Sequence, residues 1–90
     1  MNRVVISVIG PDRVGIIAAV TRILADRNIN VLSINQTILD GFFNMVLIGH
    51  LPETESDLRQ LQNDLAALGD SVGVDIRAQR ADVFEQMHRI

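Results

Sequence analysis

A six-residue stretch, Gly10-Pro11-Asp12-Arg13-Val14-Gly15, separates a β-branched run (Val4, Val5, Ile6, Val8, Ile9) from an amphipathic one that opens at Ile16. A strand-to-helix turn of this kind leaves backbone N–H groups unpaired at the positive end of a helix, which suits a carboxylate or a phosphate. Asp12 can accept from an ammonium or a hydroxyl, and Arg13 can grip a carboxylate. Each also has a plain structural role. An Asp just ahead of a helix is an ordinary N-cap worth about 1 kcal/mol, and an Arg in that turn is commonly a solvated side chain, slightly disfavoured by the helix dipole. Gly15 either lets a ligand approach the backbone or lets the helix pack tightly on the sheet. Asn30 and Asn35 stand in strand-like sequence, where asparagine is disfavoured, and a turn or rim position is the favoured account of each over a binding role.

Other chemistries are poorly supplied. The chain has no cysteine, no Ser-His-Asp order with a nucleophile elbow and no paired carboxylates within an apolar stretch, so it is not expected to be an enzyme. His50 and His88 share no ligand spacing with each other or with Asp12, and neither a metal nor another cofactor is expected. The cluster Glu53, Glu55, Asp57 reads as a solvated helix start.

The elements that position the loop follow from periodicity. Ile16, Ile17, Val20, Ile23 and Leu24 recur at helical spacing and predict a helix of about 14 residues, closed by Asn28 in the left-handed conformation. Residues 30–39 and 42–51 are strand-like, and Asp40-Gly41 between them is a two-residue type I′ hairpin signal. Thr54 or Ser56 can cap a second helix with Leu58, Leu61, Leu65 and Leu68 on one stripe and Gly69 just past its end. From Val72 to Gln79 apolar and polar residues alternate, as in a strand with one buried face.

The order strand, helix, strand, strand, helix, strand predicts an α+β, ferredoxin-like βαββαβ sandwich, a four-stranded antiparallel sheet with both helices on one face. If Val4, Ile6, Val8, Phe43, Met45, Leu47, Val74 and Ile76 face the helices, then Val5, Ile9, Phe42, Val46 and Ile48 point away from them, rimmed by Ser33, Asn35, Thr37, Asp75, Arg77 and Gln79. Such a patch calls for a cover. The candidates are a second subunit and residues 82–90, where Val83, Phe84, Met87 and Ile90 recur at helical spacing; the expectation is a short C-terminal helix that contributes to a homodimer contact.

Ninety residues form one domain, 1–90, too small for a deep pocket beside a separate catalytic domain, so a site is expected to be shallow or shared between subunits. A net charge of −3, no lysine, and three Phe without Trp or Tyr exclude a nucleic-acid surface. The apolar runs are too short for a membrane span and no signal peptide is evident, which predicts a cytoplasmic protein with no membrane partner.

The stretch Gly10-Pro11-Asp12-Arg13-x-Gly15-Ile16 after a strand, followed by a helix and by Asn28-Ile29-Asn30-Val31 entering a strand, resembles the ACT domain, a small regulatory module that senses amino acids in biosynthetic enzymes. The resemblance covers essentially the whole chain. It extends to stand-alone bacterial ACT proteins, whose tails end much like Met87-His88-Arg89-Ile90, and to the ACT modules of the glycine cleavage repressor group and of formyltetrahydrofolate deformylase. It implies a homodimer in which an effector, often an amino acid, lies between the strand-helix loop of one domain and the start of the second strand of the other. By position, Asp12, Arg13, Val14, Gly15 and Ile16 are the loop side, and Asn30 is the residue offered by the partner. Val14 stands where the family often has Pro. Asp12 stands where it often has Asn, and an aspartate favours an ammonium or hydroxyl partner.

The leading expectation is a non-enzymatic regulatory domain that binds a small amino-acid-like effector at a homodimer interface and signals to a partner protein. The alternative is a ligand-free interaction module that docks through its open sheet face or its tail. A third reading, an acylphosphatase-type hydrolase, shares the fold and uses a loop Arg and a strand Asn; Arg13 and Asn44 are present by type, but the loop around them does not match.

Overall fold

The structure, a computed structural model, describes residues 3–51 and 55–82, without the side chains of 55–57. The expected tail helix and the Thr54 cap lie outside the described residues. The chain runs β1 (Arg3–Pro11), α1 (Ile16–Asp26), β2 (Asn30–Leu39), β3 (Phe42–His50), α2 (Glu55–Val72) and β4 (Asp75–Arg80). All neighbouring strands are antiparallel, in the order β2-β3-β1-β4, with the two helices on one face, as the pattern predicts.

Alternation decides which side chains are buried. Val4, Ile6 and Val8 of β1 and Phe43, Met45 and Leu47 of β3 face the helices and are at most 2% exposed. They meet Ile16, Val20 and Leu24, one stripe of α1, together with Leu61 and Leu65 of α2. On the opposite face the register sets Val5 beside Ile48 and Gln79. Val5 is nonetheless buried, and the Gln79 Oε1 next to it is buried with no hydrogen-bond partner among the described residues. At the other end of that face Ile9, Phe42 and Val46 are exposed.

Three expectations about boundaries change. Helix α1 is shorter than predicted, ending at Asp26 with Arg27 as its C-cap; Asn28 takes the left-handed conformation as expected, with φ 59°. Gly69 lies inside α2, which continues to Val72, and Gly73 follows it with φ 79°. The reason is a close approach: a Cβ on Gly69 would stand 2.6 Å from the Val74 carbonyl oxygen. The last strand accordingly starts at Asp75 rather than Val72. The hairpin is as predicted, with Asp40 and Gly41 at φ 53° and 77°.

Candidate functional site

The β1–α1 loop is held from two sides. The Asp12 backbone N–H donates to the Gly41 carbonyl across 2.8 Å, tying the loop to the β2–β3 hairpin. The Arg13 guanidinium reaches toward the turn after α2, where its Nη2 lies 3.9 Å from the position of a Cβ on Gly73. Asp12, Arg13, Val14 and Gly15 are all exposed, and Ile16 is the first buried residue of α1.

Two of the loop's structural alternatives are resolved by geometry. Asp12 does not cap α1: the N-cap is Gly15, and no side chain bonds to the first turn. Gly15 does not serve tight packing either, because a Cβ there would meet nothing within 4 Å. What requires glycine is its φ of 88°, a left-handed conformation that costs other residues energy. The Gly15 carbonyl accepts from the Ala19 N–H at 2.9 Å, the first bond of the helix. The N–H groups of Ile16, Ile17 and Ala18 therefore have no acceptor within the helix, and no acidic residue occupies this turn.

Those groups open on a cavity of about 430 Å³, lined by Asp12, Arg13, Gly15, Ile16, Ile17, Ala18, Ile38 and Phe43. One side carries Asp12 and the unpaired N–H groups of a positive helix end, while the Arg13 guanidinium is turned toward Gly73 on the β4 side of the loop. The other is apolar, with Phe43 at its floor and Ile38 of β2 at its rim. Such a cavity can hold a small zwitterion whose third substituent is apolar. Among the described residues no group of three His, Cys, Asp or Glu side chains could hold a metal ion, and no helix is long and apolar enough to cross a membrane.

Asn30 is not near this cavity in its own chain. Strands β1 and β2 are both antiparallel to β3 and so run the same way; Leu39 and Pro11 share one end through Phe42, while Asn30 and Arg3 share the other through His50. About 30 Å of strand separates the two ends. Sequence reasoning named the loop side of the cavity and missed its strand side, Ile38 and Phe43, as well as Ile17 and Ala18. The signal available for Ile38 was its place four residues after Ile34, on the face opposite Asn35 and Thr37, which predicts an inward-facing side chain; the structure leaves it 54% exposed.

That exposure belongs to a larger feature. Every residue of β2 is exposed, its outer edge has no strand beside it, and α1 barely touches it. Val31, Ile34 and Ile38 pair with Gly49, Leu47 and Phe43, whose side of the sheet is the helix side, yet they stay partly exposed among the described residues. A long apolar edge of this kind is ordinarily blunted or paired.

Residues 4–66 match the family model of the ACT domain. A UPF0237 protein of Bifidobacterium longum is 48% identical over 90 residues, the whole of both chains. Among solved structures, an ACT domain protein from Streptococcus pneumoniae is 33% identical, with a TM-score of 0.79 over 93% of this chain and 94% of that one. A formyltetrahydrofolate deformylase from Pseudomonas putida, 18% identical, shares the fold with a TM-score of 0.76 over 86% of this chain and 28% of its own.

Proposed function

The chain belongs to the ACT family, whose members are regulatory domains that bind amino acids, and from that premise we propose that it is a non-catalytic, cytoplasmic sensor whose effector site is completed by a second copy. The observation that carries this reading is the bare β2 edge. A two-fold axis beside β2 would pair the two edges antiparallel, satisfy their free N–H and C=O groups and bury their exposed apolar side chains. Because β2 ends where β1 ends, the same axis brings the start of the partner's β2, with the partner's Asn30, to the cavity at Ile38.

In this arrangement the effector carboxylate lies on the N–H groups of Ile16, Ile17 and Ala18 near Arg13, and its ammonium lies on Asp12. The remaining loop residues, Val14 and Gly15, shape the entrance. Effector binding tightens the pair of subunits, because a ligand held by both stabilises only the dimer, and a regulatory protein partner reads that change. Calorimetric titration of the full chain with each of the twenty amino acids tests the reading: at least one is expected to bind, and heat from none would overturn it. Asp12→Ala is expected to weaken the binder about tenfold or more, the loss of a charge-assisted hydrogen bond.

A further inference from the structure

We infer that the effector's side chain is apolar and is received between Ile38 and Phe43 of one subunit and Val31 of the partner subunit. The inference rests on the shared site proposed above and adds to it the class of ligand. It comes from a break in β2. Val31 pairs with Gly49 and Ser33 pairs with Ile48, so the register slips by one residue and Leu32 is extra. Gly49 lies on the core side of β3, where a Cβ would stand 2.8 Å from Ile29 and 3.6 Å from Val4, whereas Ile48 lies on the open face.

A bulge of one residue reverses the facing of everything on one side of it. Counting back from Ile38, Gln36 and Ile34 on the helix side, uninterrupted alternation would put Leu32 and Asn30 on that side as well. The bulge puts Val31 there instead, and pairs Asn30 with His50 on the open face. Antiparallel pairing keeps facing side chains on the same side of the sheet. In the pairing that sets Thr37 opposite the partner subunit's Ser33, the partner's Val31 arrives on the helix side beside Ile38, and the partner's Asn30 side chain turns away from the cavity to its rim.

With Val31 in place the three strand residues that receive the side chain carry no polar side-chain atom, and Gln36 lies one step further along the same face. Phe43 is 2% exposed and offers only its ring, and Ile38 and Val31 offer only methyl and methylene groups. A hydroxyl, amide or carboxylate in the effector's side chain would lose its water there and gain no hydrogen bond, while an aliphatic group gains by burial. All the polar recognition is concentrated on the loop side, where the groups common to every amino acid bind.

The test is calorimetry on the full-length dimer with L-valine, L-leucine and L-isoleucine against glycine, L-serine and L-aspartate. The best aliphatic ligand is expected to bind about tenfold tighter or more than each of the other three. Val31→Asn is expected to shrink that preference below about threefold, with the dimer retained in sedimentation. If that variant dissociates, Ile38→Asn reports on the other wall of the same pocket. Serine or aspartate binding as tightly as the best aliphatic ligand, or a preference untouched by both variants, overturns this inference and leaves the shared effector site standing. Silence from all twenty amino acids overturns both.

Discussion

The two edges of this sheet are opposites. At one edge, β4 is clad by α2: Ile76 and Ala78 are 6% and 5% exposed, and the turn that leads from helix to strand folds back so closely that Gly69 cannot carry a side chain. At the other edge, β2 presents Ile34 and Ile38 at 47% and 54% exposure, with no element over them among the described residues. Both strands carry apolar residues on the side the helices occupy, Ile76 and Ala78 in β4 and Val31, Ile34 and Ile38 in β2. The pattern states that a face is to be buried; only the topology states what buries it. Where the chain covers its own strand the result is stability, and where the described residues do not, the exposed apolar surface is the contact we propose for a second copy.

The contrast can be broken first at the clad edge. Leu65→Ala, in the α2 stripe and fully buried, is expected to cost about 2–5 kcal/mol through the cavity it leaves, read by denaturant unfolding. Ile34→Asp at the bare edge is expected to do the reverse. It introduces a charge at a position that is 47% exposed among the described residues, so the monomer is expected to keep its circular dichroism spectrum while sedimentation shows the dimer lost. A cooperative dimer surviving Ile34→Asp would show that the bare edge is not the contact.

Smaller effects sharpen the same comparison. Because Asp12 makes no capping bond, Asp12→Ala is expected to shift unfolding by less than about 0.5 kcal/mol even as it weakens effector binding; a loss near the 1 kcal/mol typical of a cap would mean that Asp12 serves the fold. The smallest change concerns the tie between the helices, where Arg27 bonds to Asp64 and, at 3.3 Å, to the Gln60 Oε1. The pair is partly exposed, with Asp64 at 50%, so Arg27→Ala is expected to cost no more than about 1 kcal/mol, measured by thermal unfolding at low and high salt.

Most of the fold was legible because its signals are local. The Asp40-Gly41 hairpin, the stripe Ile16-Val20-Leu24 and the alternation of Val4, Ile6 and Val8 each follow from neighbours in sequence. The end of α2 was not, since Gly69 is explained by the Val74 carbonyl across a turn, a contact that no pattern within the helix records. The loop half of the candidate site was legible through Asp12, Arg13 and Gly15. Its strand half was hidden for two physical reasons. The exposure of Ile38 depends on where α1 comes to rest, and the facing of Val31 depends on a bulge set by pairing with β3.

The central claim is that each site takes its loop from one subunit and its strand from the other, and subunit mixing tests it most directly. Chains carrying Asp12→Ala with Arg13→Ala lack the loop, and chains carrying Val31→Asn lack the strand wall. Each homodimer alone is expected to be deficient toward the amino acid that the unaltered dimer binds most tightly. After the two are dissociated and reassociated in equal amounts, half the dimers are mixed and each holds one intact site, so about one site in four is expected to regain full affinity in calorimetry. Binding by the mixture no better than the average of its two parents would contradict a site shared across β2.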